Sequence, residues 1–206
     1  MNLYENYCLP CLLNLACGTR AIGRIRAEVV PQATGRVLEV GMGGGLNLSF
    51  YDGGKVESIC GIEPSEGMRK KADKLVRGME IPVEMIGVPA EEIPLEDGSV
   101  DTVLLTFTLC SIADWSAALH QMRRVLKPDG RLIFCEHGLA PDEGLRRWQE
   151  RINPYWRRLA GGCNLDRPIP RMLEESGFRL QGVQADYLRG LPWFASYLYR
   201  GTACKR

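Results

Sequence analysis

The chain has 206 residues, of which 26 are basic and 25 acidic, for a formal net charge of +1, with 45% hydrophobic residues and 8 cysteines. That length suits one domain burying roughly 70% of the surface its unfolded chain exposes, and the even charge balance excludes the basic footprint of a nucleic-acid or anionic-membrane binder. No apolar run reaches the ~18 residues that a membrane span needs, and cysteines without a secretory signal point to reduced thiols in a cytoplasmic protein.

Residues 3–30 read as two helical pieces. Leu9, Leu12, Leu13 and Ala16 fall at helical spacing, Gly18-Thr19 punctuates, and Ile22, Ile25, Ala27, Val29 and Val30 precede Pro31. Cys8-Leu9-Pro10-Cys11 has a metal-ligand spacing, but no second pair follows, the only histidines are His120 and His137, and the neighbours are apolar; core or pocket-lining thiols are expected, and no metal.

Val37, Leu38 and Val40 form a short apolar run that breaks into Gly41-Met42-Gly43-Gly44-Gly45 and then Leu46-Asn47-Leu48-Ser49-Phe50, a pattern of buried strand, tight turn and helix start. Glycine at 41, 43 and 45 opens backbone angles closed to other residues and lets a ligand touch the main chain. Amides at the following helix N-terminus would favour an anionic group. Ser58-Ile59-Cys60-Gly61-Ile62 is a second apolar strand, and it ends in Glu63, roughly twenty residues beyond the first glycine, where a carboxylate grips ribose hydroxyls.

Pro64-Ser65-Glu66-Gly67-Met68 opens a helix through Arg77, with Ser65 as N-cap. Ile81 to Ile86 is a third strand, and Val88 to Leu95 a loop. After the turn Asp97-Gly98-Ser99, Val100 to Phe107 is a fourth strand, apolar enough to be covered on both faces of a parallel sheet. Ligands of open α/β sheets bind beyond the carboxyl ends of strands, which brings Thr106, Phe107, Thr108, Leu109 and Cys110 to the site. A helix from Ser116 through Val125 and a turn over Leu126–Arg131 lead to a fifth strand, Leu132 to His137. His137, next to Glu136 at the strand end and with an ordinary pKa of about 6.5, is placed to take a proton from a thiol; the alternative is a histidine making a structural hydrogen bond.

From Glu143 to Arg158 a helix carries Leu145, Trp148, Ile152 and Trp156 as an apolar stripe that reads as core. Gly161 to Arg167 is an irregular loop, and Pro170 to Ser176 a helix closed by Gly177. Phe178 to Tyr187 and Trp193 to Ala203 alternate like two strands joined through Gly190-Leu191-Pro192. No repeat, linker or low-complexity tract divides the chain, so residues 1–206 read as one domain.

The dinucleotide fingerprint is G-x-G-x-x-G, whereas the pattern here is Glu39-x-Gly41-x-Gly43-x-Gly45. It resembles the first motif of the class I S-adenosylmethionine-dependent methyltransferases. The stretch from Asp97 to Gly130 resembles that family's fourth-strand and L-K/R-P-G-G segment, departing at Asp129, and Val88 to Leu95 resembles its adenine-binding loop. The resemblance implies an α/β fold, a Rossmann-like seven-stranded mostly parallel sheet with an antiparallel last strand and helices on both faces. Residues 1–31 would form a helical lid with Tyr4 and Tyr7 as candidate contacts, 36–137 the cofactor-binding core, and 138–206 the acceptor side. S-adenosylmethionine would be held by Glu39, Gly41, Gly43, Gly45, Asn47, Glu63, Pro64, Met68, Ala90, Glu91, Thr106 and Phe107.

Within that class, Leu38 to Leu48, Leu109-Cys110-Ser111-Ile112, Phe134-Cys135-Glu136-His137, Gly162-Cys163-Asn164-Leu165 and Tyr199-Arg200-Gly201-Thr202-Ala203 resemble the methyltransferase-like group that includes the alkyl thiol S-methyltransferases. This implies a small, apolar acceptor, sulfur first and then ring carbon, nitrogen or oxygen. Its pocket would be built from Phe107, Leu109, His137, Cys163 and the tryptophan-bearing helix, with His137 and Glu136 as candidate catalytic residues. Those relatives carry an N-terminal membrane-anchoring segment, which this sequence is expected to lack. A non-catalytic cofactor-binding module and a nicotinamide-dependent oxidoreductase are the alternatives, the latter disfavoured by the glycine spacing.

Overall fold

The computed structural model describes residues 17–206, so the first helical piece, Tyr4, Tyr7 and the Cys8 to Cys11 segment lie outside the described residues. Helix α1, Arg20–Val29, buries Ile22, Ile25, Arg26 and Val29. Seven strands follow: β1 Gly35–Val40, β2 Val56–Ile62, β3 Val83–Ile86, β4 Val100–Thr106, β5 Leu126–His137, β6 Phe178–Tyr187 and β7 Tyr197–Lys205. They form one sheet in the order β3-β2-β1-β4-β5-β7-β6. The first five run parallel, and β7 is antiparallel to both of its neighbours. The expected seven-stranded, mostly parallel sheet with its antiparallel last strand is the fold found.

Alternation along the central strands sends side chains to two cores. Leu38, Val103, Leu105, Leu132 and Phe134 pack with helices α3 (Trp115–Val125) and α5 (Ile169–Glu175). Val37, Ile59, Leu104 and Ile133 meet Ile25 and Val29 of α1 on the other face. Helix α2, Glu66–Val76, starts on the expected cap, since the Ser65 hydroxyl accepts from Met68 N at 3.4 Å. In α3 the cap is Asp114, accepting from Ala117 N at 3.0 Å.

Several local expectations are corrected. The glycine turn leads into a three-residue 3-10 turn, Leu48–Phe50, and no α-helix, so an amide-rich helix N-terminus is absent there. Leu126 to Arg131 belongs to β5 from its first residue, with the register against β4 shifting between Val100 and Thr102. Gly130 is required at that kink because a Cβ would stand 2.9 Å from the Asp101 carbonyl oxygen. Trp193–Ala195 is a 3-10 turn and β7 begins only at Tyr197.

The stripe of α4, Glu143–Leu159, is not core. Trp148 is 52% exposed, and the buried positions are polar, Gln149 and Asn153. Gln149 accepts from Ala140 N at 2.9 Å and donates to the Gly138 and Phe194 carbonyls at 3.1 and 3.0 Å. It therefore fixes the loop leaving β5. Asn153 accepts from Leu165 N at 2.9 Å and donates to Asp166 at 2.8 Å, which fixes the 160s loop.

Candidate active site

A cavity of about 760 Å³ opens at the carboxyl ends of the strands. This is within the range of about 300–1,000 Å³ usual for small-molecule sites. Its wall takes Gly41 to Gly44 from the end of β1, Glu63 to Ser65 from β2, Pro89 to Glu91 from β3, Thr106 to Thr108 from β4 and His137 from β5; Arg26 of α1 and Trp156 of α4 close the sides. A smaller cavity of about 250 Å³ lies by Arg36, Ser58 and Val83 at the amino ends, away from the end of the sheet where ligands of such folds sit.

The glycine turn is shaped by backbone angles. Gly41, Gly43 and Gly45 have φ of +72°, +59° and +80°. A Cβ on Gly41 would stand 2.2 Å from Thr108 Cγ2, whereas one on Gly43 would have nothing nearer than the Gly41 carbonyl at 3.9 Å. Gly43 thus leaves cavity space free, and Gly41 lets β1 and the loop after β4 close on each other.

Glu63 sits on the wall with its carboxylate held by two amides, Gly43 N at 2.9 Å and Ser65 N at 2.8 Å. Burial raises its pKa, opposed by those two amides and by Arg69. Pro64, Met68, Ala90 and Glu91 also line the cavity, and Glu91 accepts from Asp114 N at 3.1 Å.

Glu39, Gly45 and Asn47 lie behind the turn, off the wall. Glu39 is 1% exposed and accepts from Asn47 Nδ2 at 2.8 Å and Tyr51 Oη at 2.7 Å. Asn47 donates also to Thr106 Oγ1 at 2.9 Å and accepts from the Arg26 guanidinium. Arg26 reaches Thr106 Oγ1 at 3.2 Å and lies with Cζ 5.5 Å from the centroid of Phe107. Burial raises the Glu39 pKa, against its bonds to Tyr51 and Asn47 and the Arg26 charge, and burial lowers that of Arg26. Arg26 and Tyr51 were missed in the sequence. The signal for Arg26 was present, a charged residue within the stripe Ile22, Ile25, Val29.

Thr106 and Phe107 line the cavity at the end of β4, and Phe107 has φ +55°, a left-handed angle uncommon outside glycine. The turn after it is held by Glu136, whose Oε1 accepts from Thr108 N at 2.8 Å. Glu136 is fully buried behind the wall, and burial, with the nearby Cys110, pushes its pKa to about 8 against the Thr108 and Leu109 amides. Leu109 is also fully buried, part of the α3 core and off the cavity wall.

His137 reaches the wall together with Cys110 and Cys163. His137 Nε2 is 3.2 Å from Cys163 Sγ, and Trp156 Nε1 donates to the same sulfur at 3.3 Å. All three donor atoms of the cluster lie within 4.8 Å of one another, and all three residues are buried. The Cys163 thiol donating to it, together with His137 and Ser111, holds Cys110 well below the ordinary thiol range despite burial, and Cys163 is raised correspondingly. Loops carry the two cysteines and are tied to each other: Asn164 N and Nδ2 both donate to the Cys110 carbonyl at 2.8 Å, and Arg167 donates to the carbonyls of Leu109 and Ile112. The sequence gives no spacing signal for this cluster, because its members come from three separated segments.

The wall fits a ribose and a cation better than a pyrophosphate. Among the described residues Arg26 is its one lysine or arginine, and that guanidinium is already engaged by Asn47 and Thr106. The glycine turn, where a dinucleotide's pyrophosphate would need a helix N-terminus, leads instead into a 3-10 turn.

Residues 38–134 match the family model described as a methyltransferase domain. Human thiol S-methyltransferase TMT1A is 36% identical over 156 residues, covering 72% of this chain and 63% of the relative. Human thiol S-methyltransferase TMT1B is 35% identical over 152 residues, covering 71% and 62%. The chain thus spans less than two thirds of the length of these relatives. A Clavibacter sepedonicus demethylmenaquinone methyltransferase is 29% identical over 65% of this chain and 54% of its own. Among solved structures, a Thermotoga maritima S-adenosylmethionine-dependent methyltransferase, titled a possible histamine N-methyltransferase, superposes with a TM-score of 0.68 at 22% identity, covering 98% of both chains, a likeness of fold. Domain match, relatives and fold agree, and the chain belongs to the S-adenosylmethionine-dependent methyltransferases.

Proposed function

We propose that this protein transfers the methyl group of S-adenosylmethionine to the sulfur of a small, largely apolar thiol. The carrying observation is the sulfur-imidazole cluster of Cys110, His137 and Cys163 set into a wall that also takes in Phe107, Ile112, Trp156, Leu191 and Ala195. The resemblance to thiol S-methyltransferases over about 70% of the chain supports the same acceptor.

In this reading Glu63 accepts the ribose hydroxyls and Gly41 and Gly43 pass beneath the methionine part. Ala90, Met68 and Glu91 meet the adenine, and the sulfonium methyl points past Thr106 and Phe107 toward the cluster. Displacement at a sulfonium carbon neutralises charge, so the protein's task is alignment and desolvation, and positioning alone can supply ~7–11 kcal/mol. A thiol of ordinary pKa near 8.5 must also become a thiolate. The cluster is the polar island where that proton is lost.

The test offers the protein S-adenosylmethionine with matched apolar acceptors, an aryl thiol, an alkyl thiol, a hydroquinone and an amine, and identifies methylated products by mass. Methyl thioethers forming faster than the other products carry the proposal. Methylation of the hydroquinone or amine with the thiols untouched overturns it.

A further inference from the structure

We infer that Cys110, His137 and Cys163 form a binding site for one thiophilic divalent cation of the zinc class, whose fourth position faces the cavity and takes the acceptor sulfur. The site itself rests on geometry, and only the acceptor's place at the fourth position rests on the proposed function.

Around a tetrahedral zinc with ligand bonds of about 2.3 Å to sulfur and about 2.0 Å to nitrogen, neighbouring donors are separated by about 3.5–3.8 Å. Here the imidazole nitrogen and the Cys163 sulfur are already 3.2 Å apart, and the whole set lies within 4.8 Å. Closure around a cation requires shifts of no more than about 1 Å. The donors are two thiols and one imidazole, the set of catalytic zinc sites that keep an open position. Each sulfur also has an outer partner of the kind that orients ligands, Trp156 Nε1 at 3.3 Å from Cys163 and the Ser111 hydroxyl at 3.5 Å from Cys110. His137 is 8% exposed, and among the described residues its Nδ1 has no hydrogen-bond partner and its Nε2 meets the Cys163 sulfur.

The three residues stand on the cavity wall, so a ligand can reach the open position. The thiol displaces a bound water and releases its proton to solvent, because a coordinated thiol is deprotonated. The bound sulfur attacks the sulfonium methyl; the new S–C bond forms as the old one breaks, and the cofactor's sulfur keeps the bonding pair as a neutral thioether. The methylated product, also a neutral thioether, is a poorer ligand than a thiolate, and water replaces it.

The test strips the purified full chain with a chelator under reductant and titrates it with cadmium, reading thiolate-to-metal charge-transfer absorption. One equivalent should saturate the band. Cys110→Ser and Cys163→Ser should each remove about half of it, His137→Gln should weaken affinity tenfold or more, and Cys204→Ser should change nothing. An unsaturable signal, or a band unchanged in the Cys110→Ser/Cys163→Ser double variant, overturns the site. Should those variants misfold, alkylation of the unsubstituted chain decides: zinc must protect Cys110 and Cys163 and leave Cys204 reactive. For the role, one equivalent of zinc should raise thiol methylation by the stripped protein tenfold or more. An unchanged rate overturns the role and leaves the thiol reading standing, whereas cadmium binding by a protein that methylates no thiol overturns the thiol reading and leaves the site.

Discussion

The Glu63 carboxylate joins Gly43 and Ser65 by accepting both of their amide protons, at 2.9 and 2.8 Å, so the acid that ends β2 also fixes the turn that ends β1. Each carboxylate oxygen keeps a lone pair for a ribose hydroxyl. Replacing Glu63 by alanine removes charge-assisted bonds of about 1.5–3 kcal/mol. S-adenosylhomocysteine should therefore bind about ten- to a hundredfold more weakly by calorimetry. Unchanged affinity would remove Glu63 from the cofactor site.

The same group sets a pH dependence. Burial raises Glu63 above its ordinary pKa, in spite of its two amide partners and the Arg69 guanidinium, which donates to the Glu63 carbonyl at 2.7 Å. A raised carboxyl favours folding below the unfolded pKa, a contribution lost as pH rises through the folded value. In the proposed reading cofactor affinity needs the carboxylate and runs the other way. Titrations from neutrality downward should show affinity falling at a higher pH than an ordinary glutamate would give, and Glu63→Gln should flatten that fall.

Gly41 and Gly43 separate two uses of glycine. Both have positive φ, which costs an alanine about 1–2 kcal/mol. At Gly41 the added methyl also collides with Thr108, at 2.2 Å, while at Gly43 it enters the cavity. Gly41→Ala should lower the melting temperature by more than Gly43→Ala does. Gly43→Ala should stay folded and lose cofactor affinity tenfold or more. Equal thermal shifts would mean that the loop after β4 moves freely to admit the methyl.

The parallel strands, the antiparallel last strand and the end of the sheet at which the cavity opens were legible because they are written in continuous local signals: apolar strands, glycines at their ends, and Glu63 one strand on; the order of the strands was not. At the acceptor end Cys110, His137 and Cys163 were each expected at the site, but that their donor atoms meet follows only from tertiary structure, and α4 misled because its aromatic residues suggest core although Trp148 is 52% exposed and Gln149 is buried. A hydrophobic period marks which face is apolar, but a buried amide that bonds three backbone groups outweighs it. Glu39 resembled a ligand-binding acid from its motif position, and its bonds to Asn47 and Tyr51 show it supporting the turn from behind.

Gln149 yields a stability prediction. Gln149→Leu keeps similar volume and leaves the Ala140 amide and the Gly138 and Phe194 carbonyls without this partner. Stranding a buried polar group costs about 1–3 kcal/mol where water cannot reach it, and with the Phe194 carbonyl only partly buried the two fully buried partners set an expected loss of about 2–4 kcal/mol. For a chain of this size that lowers the melting temperature by about 5–15 °C. The acceptor KM should rise more than that of S-adenosylmethionine, because the amide holds the loop beside Trp156 and Phe194. A shift under about 2 °C would show that these backbone groups find other partners.

Arg26 and Glu39 are opposite charges buried in one network, linked through Asn47, which donates to Glu39 and accepts from Arg26. Both pKa shifts disfavour the ionised form, so desolvation exceeds their attraction. The pair then serves to position Thr106 and the glycine turn more than to stabilise the fold. Removing one charge strands the other, and Arg26→Met or Glu39→Gln alone should destabilise by about 3–5 kcal/mol in denaturant titrations. The double variant should be less destabilised than the sum of the singles by at least about 1 kcal/mol. Because the Glu39 pKa is raised, its favourable contribution is complete below the unfolded value and lost as pH rises through the folded one, a slope that Glu39→Gln should abolish. Additive single effects would mean that Arg26 and Glu39 act independently, and that Phe107, under the guanidinium, is the group Arg26 holds.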